Sequence, residues 1–244
     1  GRKWVVKIGD EAKPETVATR FVWAMGYHTD ITYFVKRAHI VGDKELVVEN
    51  VRFERRPDGY QEVSTWSWDE NPFREKREME GLKILMVLLN NWDIKKSNNS
   101  IICQGKAADV SQSKCFYYVS DLGATLGATG SITRKLLRPF DPPAGSRGEA
   151  DDYAEQNFIK GVRDGKLFFN YKGKDADALK GVSVESAAWL GEMLGRLSEK
   201  QISDAFRAGG YEGAEHTEYV QALRWRIGQL QQAAKNQISA ENKK

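Results

Sequence analysis

The pattern of apolar and polar positions changes period several times along the chain. Trp4-Val5-Val6-Lys7-Ile8 opens it with a short β-branched run that predicts a strand. From about Glu11 to Tyr27 the period becomes helical. Val17, Ala18, Phe21, Val22 and Met25 fall on one side of the helix. Pro14 suits its first turn and Gly26 its end. Ile31–Val35 and Glu45–Phe53 then read as strands, with Gly42-Asp43 as a turn. Residues 54–73 are predicted to be irregular. Arg55-Arg56-Pro57-Asp58-Gly59 is a strong turn signal, and Trp66 to Phe73 is a connector both aromatic and polar.

A helix is predicted over Arg74–Asn91, with Met79, Leu82, Leu85, Met86 and Leu89 as its apolar face. A polar loop, 90–99, precedes a hairpin with arms Ser100–Gln104 and Cys115–Ser120. Asp121–Gly130 is rich in glycine, and 131–153 reads as a mobile surface segment. After a short strand, Lys166–Tyr171, the chain is helical. Ser198-x-x-Gln201 forms a capping box for a helix ended by Gly209-Gly210. The last helix, Ala214–Ala234, turns Val220, Leu223, Ile227 and Leu230 to one side. The order implies an α+β chain of two lobes. Residues 1–73 form a small, mostly β lobe with one key helix, 74–238 a mainly helical lobe, and 239–244 a disordered tail. Such lobe pairs bind ligands in the cleft between them.

Composition narrows the function classes. The 244 residues are 41% apolar and 29% charged, as in a globular domain with a real core. The net charge is only +3, with Lys and Arg interleaved among Asp and Glu, so no nucleic-acid partner is expected. The longest apolar run, Ile84–Leu89, is far short of the ~18 residues of a membrane span. The chain opens inside a strand, so upstream sequence is expected, and the lack of a targeting signal leaves the compartment unknown. Cys103 and Cys115 flank the hairpin; a cross-strand disulfide and two reduced, buried thiols both fit. His28, His39 and His216 sit in ordinary surroundings.

Two strings carry the chemistry. Asp93 and Asn98 give D-x-x-x-x-N spacing in a loop after an apolar helix, with Lys95 between them. Asp121-Leu122-Gly123 is a D-x-G turn at the end of a strand. Phosphoryl transfer needs a carboxylate to orient the attacking hydroxyl, oxygen ligands for magnesium, and a cation on the phosphates. Asp93 fits the first role, Asn98 and Asp121 the second, with Asn99 an alternative ligand. Lys7, in Val5-Val6-Lys7, fits the third and resembles the lysine of V-A-I-K. Glu15, on the following helix, would brace Lys7, and Lys95 would neutralise the transferred group. Taken singly, each has a blander reading: a surface lysine, a helix-start carboxylate, turn-forming Asp and Asn. Their shared order, each on the expected element, favours the chemical one.

In that order the motifs resemble a protein kinase. The form Asn91-x-Asp93 to Asn98 is similar to HipA-type kinases, type II phosphatidylinositol kinases and secretory-pathway Golgi kinases. The whole chain also resembles a set of uncharacterised bacterial proteins. The shared strings are Pro14-Glu15-Thr16-Val17-Ala18-Thr19-Arg20, Glu70-Asn71-Pro72-Phe73, Asn91-Trp92-Asp93 and Asp204-Ala205-Phe206-Arg207-Ala208-Gly209-Gly210-Tyr211. The resemblance implies ATP and Mg2+ as cofactors, and a protein, lipid or small-molecule acceptor. From the bacterial set it implies export to the periplasm or beyond, with the cytoplasm as the alternative. The chain departs from ordinary kinases in lacking a glycine-rich loop before Lys7 and an A-P-E motif, and in placing Asn91 and Trp92 before Asp93. Those departures keep open a binding or scaffold module without transfer. They also keep open an unrelated fold with Asp69, Glu70, Asp93 and Asp121 as a hydrolytic carboxylate cluster.

Overall fold

The computed structural model describes residues 3–42, 44–105, 114–127, 153–154, 157–171 and 173–241, with side chains up to 236. Most of the expected surface segment 131–153, including Arg134, Lys135 and Arg138, lies outside them. Strands β1 (Val5–Ile8), β2 (His28–Thr29), β3 (Ile31–Ile40), β4 (Leu46–Arg55) and β5 (Tyr60–Thr65), with helix α1 (Ala12–Ala24), build the first part. The second holds helix α2 (Arg77–Leu88), hairpin strands β6 (Asn99–Gln104) and β7 (Cys115–Val119), and strands β8 (Ile159–Arg163) and β9 (Lys166–Phe169). Helices α3 (Val184–Gly195), α4 (Glu199–Ala208) and α5 (Gly213–Glu241) follow.

Strands β1, β4 and β3 form an antiparallel sheet in that order. Helix α1 packs on it through Val17, Ala18, Phe21 and Val22, all buried. β1 itself is exposed along its length despite its apolar residues. Its register sets Lys7 directly opposite Arg52, so two cations share one sheet face.

A second sheet runs β2-β7-β6-β5. Its β5 corrects the irregular reading of 54–73. The strand pairs only with β6 and leaves much of its polar surface in water, so it lacks a buried apolar face to announce it. The same holds for β8, which closes on β9 through Asp164-Gly165, both in the left-handed region at φ 50° and 68°. An Asp-Gly pair is the local signal for such a turn.

The β6–β7 hairpin settles the cysteine alternatives. Cys103 and Cys115 are cross-strand partners with Cα atoms 4.1 Å apart, and a disulfide joins them.

Helix α2 is buried almost all round, which explains the run Ile84–Leu89. It lies against α3 and α5 as the spine of the helical part. The capping box at Ser198 and Gln201 forms. The final helix is longer than its apolar stripe predicts, reaching Glu241 and running past the start of the expected tail. Buried Arg226 donates to the carbonyls of Tyr153 (3.0 Å) and Leu88 (3.3 Å), and its guanidinium lies over the Tyr153 ring. That ties the end of α2 to α5 just before the chemical loop.

The disulfide closes a stretch with a sequence separation of 12. Replacing both cysteines by serine is expected to lower the unfolding free energy by about 3 kcal/mol. Denaturant midpoints of the oxidised protein and the double variant check this; equal midpoints would show that strand pairing alone holds the hairpin.

Candidate functional site

After α2 the chain turns at Asn90, in the left-handed region at φ 54°. Asn91 accepts the Asp93 N–H on its side-chain oxygen at 3.1 Å, holding the start of the loop. The Asn98 side chain donates to the Asp93 carbonyl at 2.9 Å, closing its other end. Asn91 and Asn98 thereby fix the backbone on both sides of the Asp93 carboxylate.

Three backbone hydrogen bonds lace this loop to the D-x-G segment. Trp92 N–H donates to Ala124 (3.1 Å), Leu126 N–H to Leu89 (2.8 Å) and Ser120 N–H to Asn98 (2.9 Å). Segments 22 to 37 residues apart in the chain therefore form one unit. Asp121 sits at its edge with φ 54°, a conformation Asp tolerates better than most residues. Gly123 allows a close approach: a Cβ there would lie 2.7 Å from the Glu11 Cβ.

Two lysines hold the Asp93 carboxylate. Lys95 Nζ lies 2.9 Å from one oxygen and Lys174 Nζ 3.0 Å from the other. Burial by itself would raise the Asp93 pKa, but the hydrogen bond from Lys95 and the ion pair with Lys174 outweigh it and hold the group below its usual value. Lys95 is pushed up in turn by its bond to Asp93. Lys174 is steered by its own N–H, which donates to the Trp92 carbonyl at 2.7 Å. Tyr171 donates to the Asn91 carbonyl from the same side.

Lys7 reaches Asp121 across the cleft at 3.4 Å and Glu54 at 3.8 Å. It does not pair with Glu15 as the sequence leads one to expect. Glu15 is fully buried and its carboxylate meets Arg52, which also binds Glu54 at 2.6 Å. The physical reason is the register: Arg52 faces Lys7 across the strands, and its planar fork suits two buried carboxylates better than a lysine does. Glu11, at the start of α1, feels Asp121, Arg52, Lys7 and Asp93 together. Its pKa is raised first by burial and then by Asp121. Lys7 pairs with Asp121, and the charges of Lys7, Asp93 and Asp121 all act on Glu11; Asn98 joins them through its bond to Asp93, whereas Glu15 is buried against Arg52.

Arg52, Glu11 and Lys174 do not stand out in the sequence. Arg52 alternates within an ordinary strand, Glu11 reads as a helix-start charge, and Lys174 lies far along the chain in a loop without a motif. Strand register brings in Arg52, and contacts with the laced loops bring in Glu11 and Lys174.

One trio of carboxylates lies within 4.8 Å among the described residues: Glu15, Asp30 and Glu54. It gathers around Arg52, which pairs with Glu15 and Glu54 and fills it with positive charge. The hydrolytic grouping of Asp69, Glu70, Asp93 and Asp121 does not form such a trio among the described residues. Asp69 pairs instead with Lys83 at 3.5 Å.

No family model matches the chain, and no curated protein matches it in sequence. Solved structures do match. The chain is similar to CtkA, a proinflammatory kinase of Helicobacter pylori, with a TM-score of 0.53 and 13% identity. The match covers 96% of this chain and 88% of that one. The fold is kinase-like, α+β and two-lobed. At that identity the likeness speaks for the fold alone. Among the described residues no helix is long and apolar enough to cross a membrane.

Asp30 has a measurable consequence. Burial, then the charge of Glu54, raises its pKa from 3.8 to about 7, although Tyr118 donates to it at 3.1 Å. Arg56 and Lys7 oppose the rise. Folded Asp30 therefore keeps its proton up to about pH 7, where the unfolded chain loses it near 3.8. Between those values the folded state binds more protons, so this contribution to stability is full below the lower value and is lost as pH rises through the upper one. Denaturation at pH 5 and pH 8 should show a smaller drop in Asp30→Asn than in the unmodified protein. Equal drops would mean that Asp30 is already ionised in the fold.

Proposed function

We propose that the chain is an atypical kinase that transfers a phosphoryl group from ATP with magnesium. The observation that carries this reading is the approach of Lys7 to Asp121, beside a loop that presents Asp93 and Asn98. Its division at residue 73, and its kinship with HipA-type, phosphatidylinositol and Golgi kinases, belong to the same reading.

The donor set fits a hard divalent cation. Asn98 commits its amide nitrogen to the Asp93 carbonyl, which leaves its oxygen to face a cation. Asp121 presents a partly exposed carboxylate. Magnesium held by Asn98 and Asp121 would neutralise charge on the phosphates. Lys7, at present against Asp121, would move to the α- and β-phosphates, with Glu54 keeping it at the cleft wall. Asp93 would hold the acceptor hydroxyl by its carboxylate and take its proton as the bond forms. Lys95 would release Asp93 to meet the negative charge of the transferred group. Arg52 holds Glu15, so α1 and its Glu11 stay in register with the D-x-G turn.

The Cys103–Cys115 bond supports the exported setting implied by the bacterial set, because disulfides persist in oxidising compartments. The acceptor stays open among protein, lipid and small molecule. One observation favours the scaffold alternative: both Asp93 oxygens are engaged by lysines, so the base must first be freed.

Calorimetric titration of ATP with magnesium separates the readings. Asp121→Ala should abolish metal-dependent binding without unfolding the chain. Asp93→Asn should retain binding but lower transfer, to an acceptor or to the protein itself, by about a thousandfold. Unchanged affinity in Asp121→Ala would remove the metal assignment. Tight binding without any transfer in the unmodified protein would leave the scaffold reading.

A further inference from the structure

Strand β7 has two different faces. Tyr118 turns towards Asp30 and the buried charges, whereas Cys115, Phe116, Tyr117 and Val119 line a cavity of about 540 Å³. The cavity lies between the end of α1, the start of α2 and β7, and shares no residue with the cleft. The cavity is open to solvent. It falls within the range of small-molecule sites.

Its walls are largely aromatic. Trp66 and Tyr117 have ring centroids 5.8 Å apart, and Phe73 meets Tyr117 edge-on at 4.9 Å. Phe73 is still 44% exposed, a large apolar ring left at the mouth. Such walls favour a flat, aromatic body. The charges at the rim choose the head group. Lys76 is exposed at the rim and enters no ion pair among the described residues. Lys114 stands over the Phe116 ring at 5.4 Å. Glu78, the lining carboxylate, lies 3.5 Å from Arg77 and is thereby compensated. Burial and then Lys114 lower the His28 pKa. The lining itself carries one cation, Lys76, and one carboxylate, Glu78; Arg77 and Lys114 beside them bring the rim to a positive balance above an apolar floor.

We propose that this cavity is a second binding site, for an aromatic anion: a molecule of about two rings carrying a carboxylate or sulfonate that meets Lys76. The site stands apart from the kinase reading and does not need it. Its occupant would press on Val119, two residues before Asp121.

The test uses two fluorescent probes, anilinonaphthalene sulfonate and its uncharged parent phenylnaphthylamine. Binding is followed by energy transfer from tryptophan, and folding of each variant by circular dichroism. The sulfonate should bind saturably at one site per chain. Lys76→Glu, at an exposed position, should weaken the sulfonate about tenfold and leave the neutral probe within about twofold. Phe73→Ala should weaken both probes by about fivefold. Binding that does not saturate, or that neither substitution changes, would overturn the site. Equal weakening of both probes by Lys76→Glu would overturn the anionic head group. Tight binding of an apolar peptide that excludes both probes would point to a protein partner and overturn the small-molecule assignment.

Discussion

The contact between Arg52 and Glu15 governs the cleft. A carboxylate as deeply buried as Glu15 needs a cation at hand, and the strand register offers two, Lys7 and Arg52, face to face. Arg52 lies on the middle strand of its sheet, under α1, and its fork serves Glu15 and Glu54 together. Lys7 lies on the edge strand, half in water, and is left to reach outwards to Asp121. The helix is thereby fixed to the sheet by one pair, and the mobile cation is released to the site. Were the roles exchanged, the shorter-reaching donor set of lysine would have to satisfy two carboxylates in the interior.

The second constraint is the lacing of two loops by backbone bonds. It sets Asp93, Asn98 and Asp121 by main-chain geometry, so their side chains need little help to stay in place. Upon that frame the electrostatics divide. Asp93 is kept ionised by two lysines, whereas Glu11 and Asp30, with less compensation, are pushed towards the neutral form. A carboxylate held charged between Lys95 and Lys174 and a carboxyl held neutral beside Tyr118 thus belong to one connected set of elements.

Strand β7 connects the two halves of this account. Alternation along it sends Tyr118 to the buried charges and Tyr117 to an aromatic cavity, and its end delivers Asp121 to the cleft. The disulfide pins its other end to β6. Anything that shifts the strand is felt on both faces, because its pairing with β6 and β2 leaves it little freedom to slide.

How much of this was legible depends on the range of each interaction. Helix α1, buried helix α2, the hairpin arms and the capping box are written in local periodicity, and the α+β order followed from them, whereas the kinase likeness came from the motifs. Lys7, Asp93, Asn98 and Asp121 could be picked out as candidates because their motifs are short and keep their order on the expected elements. Strands β5 and β8 escaped because each is polar, short or half in water and is held by pairing rather than by its own pattern. The Cys103–Cys115 bond needed the register of two strands. The choice of Arg52 over Lys7 for Glu15, and the arrival of Lys174 and Glu11 at the cleft, rest on contacts between distant segments. By itself the sequence determined which elements form and which residue types stand in the chemical loops, since those depend on neighbours in the chain. Only the tertiary structure decided which charge meets which, since burial and cross-strand register set the cost of leaving a carboxylate without its cation.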